Sequence, residues 1–301
     1  MSAVLSDGKA LAAELRLRIK ERAFAFAGAR GRSPGLHVII VGADPASRIY
    51  TANKHKAATE AGLHSVLHEL PSDVPQAQLL ALIAQLNVDD SVDGILVQLP
   101  LPAHIKEREV LHAVEPSKDV DGFHPVNAGA LAIGRKGLVP CTPRACMHIL
   151  SAWGVTPYEK TAVVIGRSNI VGRPVAQLLL RADATVIITH RHTLDLPAMT
   201  RQADILVVAV GKPDFVRGDW IKPGAAVIDV GINRIDDVAA PKGTRVVGDV
   251  CADEVSKVAG YLTPVPGGVG PLTIACLLEN TLIAAEARAE LPQLAALGGA
   301  L

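Results

Sequence analysis

Apolar runs and helical patterns alternate along almost the whole chain. A helical opening segment, about Gly8 to Phe26, precedes an apolar run, Leu36–Val41, that ends in Gly-Ala-Asp-Pro. Asp44 suits a helix N-cap and Pro45 the first helical position, so a helix starts there. It runs to about Ala61, where Gly62 supplies a left-handed stop. Short runs at Ser65–Leu70 and Gly94–Leu99 flank a helical stretch from Pro75 to Leu86. Strand, helix and strand at this spacing predict the βαβ unit of a parallel sheet.

Between Glu115 and Thr142 the pattern lapses into the Gly/Pro/Asn-rich stretch KDVDGFHPVNAGAL and ends in PCTPR. An irregular stretch of this length is usually functional or a linker. A second series follows, with strands at Thr161–Ile165, Thr185–Thr189, Ile205–Val210 and Ala226–Val230, and a helix at Gly172–Arg181. The last sizeable helix begins after Gly270-Pro271. The fold class is therefore α/β with two domains. An N-terminal parallel-sheet α/β domain covers 1–143 and a Rossmann-like domain covers 144–265; the motifs below make the first the candidate catalytic domain and the second the candidate dinucleotide-binding domain. Residues 266–301 form a loop and a C-terminal helix expected to return to the first domain.

Hydrophobic residues make up 49% of the chain and aromatics only 3%, so aliphatic side chains must build both cores. Strands buried between helices have that composition. Thirty basic residues balance thirty acidic ones, which leaves no global field to attract nucleic acid or an anionic membrane. Cys141, Cys146, Cys251 and Cys276 form no CxxC pair, the pattern of free thiols in a reducing compartment. No His or acidic cluster beside Cys141 and Cys146 completes a metal site, so no metal is expected. The N-terminus has no basic start followed by a long apolar stretch, and no uninterrupted apolar run approaches the roughly 18 residues of a membrane helix. The expectation is a soluble cytoplasmic protein with no nucleic-acid or membrane partner.

Gly166-Arg167-Ser168-Asn169-Ile170-Val171-Gly172 joins a strand to a helix. The spacing departs from GxGxxG, because Ser168 stands where the second glycine would be. A helix N-terminus offers N–H groups to a pyrophosphate, and Ser168 adds a hydroxyl; a corner that binds nothing has the same pattern. The next strand ends in His190-Arg191-His192-Thr193, without the carboxylate that would hold the ribose hydroxyls of NAD. Arg191, with Arg167, suits a 2′-phosphate, which favours NADP; a solvated basic turn is the alternative.

Tyr50 and Lys54, four apart, share one helix face above the C-terminal edge of the preceding strand, where ligands bind in open α/β sheets. A lysine partly buried there can transfer protons; an ordinary surface lysine beside a packed tyrosine reads the same. The YxxxK pair of short-chain dehydrogenases is excluded, since there the glycine corner precedes the pair and here Gly166 follows it. Gln98, at a strand end, and Asp121, in KDVDG, offer an amide and a carboxylate to an N–H-rich ligand, or simply bond to their own loops. Thr263–Thr273 mixes prolines and glycines in a stiff loop that backbone can bring close to a ligand, or that serves as a linker.

SRIYTANKHKA, DGILVQLPLP, KDVDGFHP, PCTPR, VVIGRSNIVGRP, VGKPDF, DVGINR and TPVPGGVGPLT, in that order, closely resemble the bifunctional methylenetetrahydrofolate dehydrogenase/cyclohydrolase family over about Val41 to Thr281. The resemblance implies a homodimer of two-domain subunits acting on tetrahydrofolate one-carbon derivatives, with the folate in the cleft between domains. Lys54 is similar to the family's catalytic lysine, Tyr50 to the tyrosine that stacks on folate, Gln98 to the glutamine that tunes the lysine, and Asp121 to the carboxylate that holds the pterin amino group. Gly166, Arg167 and Ser168 match the dinucleotide corner, Ile232 a nicotinamide-side contact, and Pro266, Gly267 and Gly268 the folate-lining loop. One departure stands out: the family commonly has glycine after the basic residue of PCTP-(Lys/Arg), and this chain has Arg144-Ala145. The implied activity is NADP-dependent oxidation of 5,10-methylenetetrahydrofolate followed by hydrolysis to 10-formyltetrahydrofolate, a step of one-carbon metabolism toward purine biosynthesis. The alternatives are a monofunctional dehydrogenase and a non-catalytic NADP-binding regulator.

Overall fold

The computed structural model describes residues 2–42, 45–237, 239–240 and 243–290, with side chains in the second helix from residue 51 onward. The chain runs through β1 (Val4–Leu5), α1 (Gly8–Arg30), β2 (Gly35–Val41), α2 (Pro45–Glu60), β3 (His64–Leu70), α3 (Gln76–Val88) and β4 (Gly94–Val97). Next come α4 (Glu107–Ala113), α5 (Pro125–Ala132), α6 (Cys141–Ala152), β5 (Thr161–Ile165), α7 (Gly172–Arg181) and β6 (Thr185–Thr189). They are followed by α8 (Leu196–Thr200), β7 (Ile205–Val208), β8 (Ala226–Asp229), β9 (Asn233–Asp236), β10 (Thr244–Val247), α9 (Ala252–Val255), β11 (Tyr261–Leu262) and α10 (Val269–Arg288).

Two compact units result. Of the described residues, one holds 13–141 and 274–290, and the other holds 2–12 together with 142–273. The first contains a parallel sheet in the order β3-β2-β4. Its middle strand, Gly-Leu-His-Val-Ile-Ile-Val, is buried at every position, as a strand covered on both faces must be. Its Ile39 packs with Leu79, Ile83 and Ile95 in one cluster. The C-terminal helix closes this unit: Glu286 pairs with Arg22 at 2.7 Å, and Arg288 reaches the Asp93 carboxylate at 2.9 Å. Length and apolar composition alone would let this helix cross a membrane, yet 72% of its apolar window is buried, as a core helix requires.

The second unit contains six parallel strands in the order β1-β11-β8-β7-β5-β6. Counted from β5, the order is 2-1-3-4-5, a doubly wound sheet whose direction of winding reverses between β5 and β7. Ligands of such sheets sit beyond the strand C-termini at that reversal.

Several expected boundaries shift for physical reasons. Strand β7 stops at Val208, before the expected Val210, because the Val210 N–H turns away to the Asp249 carboxylate at 2.6 Å. Helix α3 begins at Gln76, since Pro75 is its extended N-cap (ψ 139°). The expected first domain, 1–143, gives up its first dozen residues: β1 pairs with β11 and joins the other sheet. The antiparallel ribbon β9–β10 was not foreseen. Asp44, the expected N-cap of α2, lies outside the described residues. Ala145 is fully buried within α6, so its methyl group is packed rather than merely accommodated at the helix start.

Candidate functional site

Three of the four residues singled out for chemistry meet in the first unit. Lys54 lies in α2 and is only 7% exposed, which removes the surface-lysine alternative. Its Nζ donates to Gln98 Oε1 at 3.0 Å. Gln98 stands at the C-terminal edge of the sheet, one residue past β4, held by a bond from its N–H to the Ile39 carbonyl. Burial lowers the pKa of Lys54, against the opposing pull of Asp121 and Cys141. Burial likewise pushes the Asp121 carboxyl up to about 7, although Lys54 draws it down. Both groups thus change charge closer to neutrality than in water. Tyr50 occupies α2 one turn before Lys54; its side chain lies outside the described residues.

The Asp121 segment is fastened from both sides by residues that sequence reading missed. Asp119 is buried and accepts bonds from Asn127 Nδ2 (2.9 Å) and the His124 N–H (2.8 Å). Asn280, fully buried on α10, donates to the carbonyls of Val120 and Val139, both at 2.8 Å. The signal available in the sequence was the polar triplet Glu279-Asn280-Thr281 inside an otherwise apolar helix.

The second unit carries the corner. Gly166 follows β5 with φ +118°, and a Cβ there would lie 2.2 Å from the Ala209 carbonyl oxygen, so only glycine lets the β5 and β7 loops meet. The helix N-terminus differs from expectation. Ser168 Oγ accepts the N–H groups of Val171 (3.1 Å) and Gly172 (3.3 Å), and the Ser168 carbonyl accepts that of Arg173. These donors, expected to be open to a pyrophosphate, are already used. With both lone pairs engaged, the Ser168 hydroxyl keeps its hydrogen to donate outward from an exposed position.

Strands β5 and β6 pair Ile165 with Thr189, so Arg167 and Arg191 each stand two residues beyond the same rung. Both are exposed, and Arg191 Nε donates to His192 Nε2 at 3.1 Å. Two guanidinium groups, with no carboxylate in Thr189–Thr193, fit a dinucleotide bearing a 2′-phosphate. Ile232, 69% exposed, follows β8. Pro266, Gly267 (φ +105°) and Gly268 follow β11, in a turn closed by the bond from the Gly268 N–H to the Pro264 carbonyl. These four belong to the dinucleotide unit, and the Lys54 cluster belongs to the other.

A parallel sheet with a buried lysine at its C-terminal edge and a doubly wound sheet with a cationic dinucleotide corner define an α/β pyridine-nucleotide enzyme. The chain belongs to the tetrahydrofolate dehydrogenase/cyclohydrolase family: residues 6–121 match that family's catalytic domain and residues 140–289 its NAD(P)-binding domain. It is 57% identical over 287 residues to bifunctional protein FolD 3 of Rhizorhabdus wittichii, covering 95% of this chain and 94% of that protein. Among solved structures it is similar to the bifunctional FolD methylenetetrahydrofolate dehydrogenase/cyclohydrolase of Campylobacter jejuni (TM-score 0.90, 49% identity, 95% of this chain and 100% of that one). It is also similar to the Trypanosoma brucei dehydrogenase-cyclohydrolase, solved with NADP and an inhibitor (TM-score 0.92, 43% identity, 96% and 99%).

Proposed function

We infer that Lys54, directed by Gln98 and neighboured by Asp121, is the proton-transfer group of an enzyme with two activities. The enzyme oxidises 5,10-methylenetetrahydrofolate to the 5,10-methenyl form with NADP, and hydrolyses that product to 10-formyltetrahydrofolate. The observation that carries this reading is a buried amine, 3.0 Å from a fixed amide oxygen, at the ligand-binding edge of a parallel sheet.

NADP, when bound at Gly166, Arg167, Ser168 and Arg191, supplies the acceptor for the hydride leaving the methylene carbon. The chain's part in that step is to hold and orient, with Ile232 as the proposed nicotinamide-side contact. In the second step water adds to the cationic methenyl carbon. A neutral Lys54 takes a proton from the attacking water and returns it to N5 as the C–N5 bond breaks, and the remaining hydroxyl proton passes to solvent as the formyl C=O forms, so one proton is released per turnover. Lowering of the lysine pKa by burial supports this role, because it raises the neutral fraction at working pH. Asp121 holds the pterin amino group, Tyr50 stacks on the folate, and Pro266, Gly267 and Gly268 line it. A homodimer in the cytoplasm completes the proposal, supported by the family resemblance and by the lack of a CxxC pair among the cysteines of the sequence.

The test is a paired assay of the purified chain and Lys54→Met with 5,10-methylenetetrahydrofolate and NADP, following nicotinamide reduction and methenyl appearance together. The wild type is expected to reduce NADP with little methenyl build-up. Hydrolysis is expected to collapse in the variant, and its persistence at the wild-type rate removes Lys54 from the mechanism.

A further inference from the structure

Two carboxylates outside the expected sites organise the dinucleotide edge of the second unit. Asp249 is completely buried, and its oxygens accept four N–H bonds. They come from the backbone of Val210 (2.6 Å), Gly211 (2.9 Å) and Lys212 (2.9 Å), and from Asn233 Nδ2 (2.8 Å). Asp229, 3% exposed at the end of β8, anchors it in turn, accepting the N–H groups of Asp249, Val250 and Gly231, each at 2.9 Å. Glycines make room for both: a Cβ on Gly231 would lie 2.3 Å from Asp249 Oδ1, and one on Gly248 would lie 1.8 Å from Asp229 Oδ2. The motifs DVGINR and GDV are therefore one construction, each aspartate seated against the other motif's glycine.

The loop that Asp249 holds is the continuation of β7. Its Ala209 carbonyl abuts Gly166 across the point where the sheet reverses its winding, the edge at which a dinucleotide lies. We propose that Asp249 is a positioning residue for NADP: its carboxylate fixes the backbone of Val210–Lys212 and the side chain of Asn233 as the β7–β8 wall of the cofactor site, with Asp229 as its anchor. The inference rests on the dehydrogenase reading above. Four donors converging on one carboxylate need an acceptor-only group, and an amide of the same shape would turn its own NH2 toward two of them.

The test uses the two activities of the full-length enzyme, because hydrolysis of supplied methenyltetrahydrofolate consumes no dinucleotide. In Asp249→Asn, the KM and Kd for NADP are expected to rise about tenfold or more, while methenyl hydrolysis stays within about twofold of wild type. A milder variant, Asn233→Ala, removes one of the four donors without adding a misdirected one. It is expected to raise the NADP KM about threefold, and it carries the test if Asp249→Asn does not fold. An unchanged NADP affinity in either folded variant overturns the proposal. So does parallel loss of both activities, which would mark Asp249 as a purely structural residue. Failure of the wild type itself to bind or reduce NADP would instead remove the dehydrogenase reading.

Discussion

The amide of Gln98 is held the one way round that serves Lys54. Its Nε2 donates to the Leu99 carbonyl at 2.7 Å, which leaves Oε1 to accept the lysine amine at 3.0 Å. A flipped amide would lose both bonds and set an NH2 group against an amine. Gln98→Glu places a negative charge at the same distance, which stabilises protonated Lys54. The lysine-dependent limb of the pH–rate profile for methenyl hydrolysis is expected to move to higher pH, and kcat near neutrality to fall about tenfold. An unmoved limb would detach the glutamine from the lysine's titration.

Asp121 works in the opposite sense. Its ionised form raises the lysine pKa, so Asp121→Asn leaves burial less opposed and lowers it further. The same limb is expected to shift to lower pH, and the inflection that Asp121 contributes near pH 7 is expected to vanish. If Asp121 also holds folate, KM for the methylene substrate rises together with the shift. Rates of hydrolysis from pH 5 to 9 for the wild type, Gln98→Glu and Asp121→Asn separate the three curves.

Arg191→Ala should discriminate between cofactors. Loss of the guanidinium removes a charge-assisted partner of the 2′-phosphate and touches nothing that NAD possesses. KM for NADP is expected to rise about tenfold while KM for NAD changes little. Equal losses for both would place Arg191 elsewhere on the dinucleotide.

The Asp93 carboxylate is fully buried between Arg32, which it meets at 2.6 and 2.9 Å, and Arg288 at 2.9 Å. Asp93→Ala removes the carboxylate that two guanidinium groups share; Arg288 keeps Asp90 at 3.5 Å and the Val92 carbonyl, Arg32 the Ser33 carbonyl, and both keep some contact with water. A loss of about 3 kcal/mol, the low end for breaking a buried pair, is expected in denaturant unfolding monitored on the catalytic unit. A loss below about 1 kcal/mol would make the cluster ornamental.

Asp229 gives a stability prediction whose sign is fixed by its shift. Burial raises its folded-state pKa to about 7, above the ordinary carboxylate value of 3.8, despite three N–H bonds that pull it down. The folded protein therefore binds more protons than the unfolded chain between about pH 4 and 7. The contribution of this group is full below the unfolded pKa and is lost as pH rises through 7. Asp229→Asn lacks that slope, so the difference in denaturation midpoint between wild type and variant is expected to narrow from pH 5 to pH 8. A constant difference across that range contradicts the assignment.

Periodicity made the buried strands and long helices legible, because a fully buried run such as Leu36–Val41 and the helix–strand spacing around it leave few alternatives. The Lys54–Tyr50 spacing and the Gly166 corner were legible as positions, but burial was not, and burial is what separates a proton-transfer lysine from a surface one. Two-residue β1 carries no period at all. Asp249 escaped notice because three of its four partners are backbone N–H groups, which every residue but proline possesses and no motif advertises. The true end of β7 escaped for the same reason, since it is set by that carboxylate rather than by Val210 itself.

The chain passes from one unit to the other after Ala12, Cys141 and Thr273. During synthesis this means that β1 is made well before β11 and waits for it before it has a neighbour. The catalytic unit waits too: its Asp121 segment lacks Asn280, Arg22 lacks Glu286, and Asp93 lacks Arg288 until the last helix has left the ribosome. Vectorial folding, in which an N-terminal domain matures while the rest is still being translated, is therefore closed to this protein. The catalytic unit is begun before most of the dinucleotide unit and finished after it, and a ribosome that stalls within α10 releases a chain whose catalytic unit is not whole.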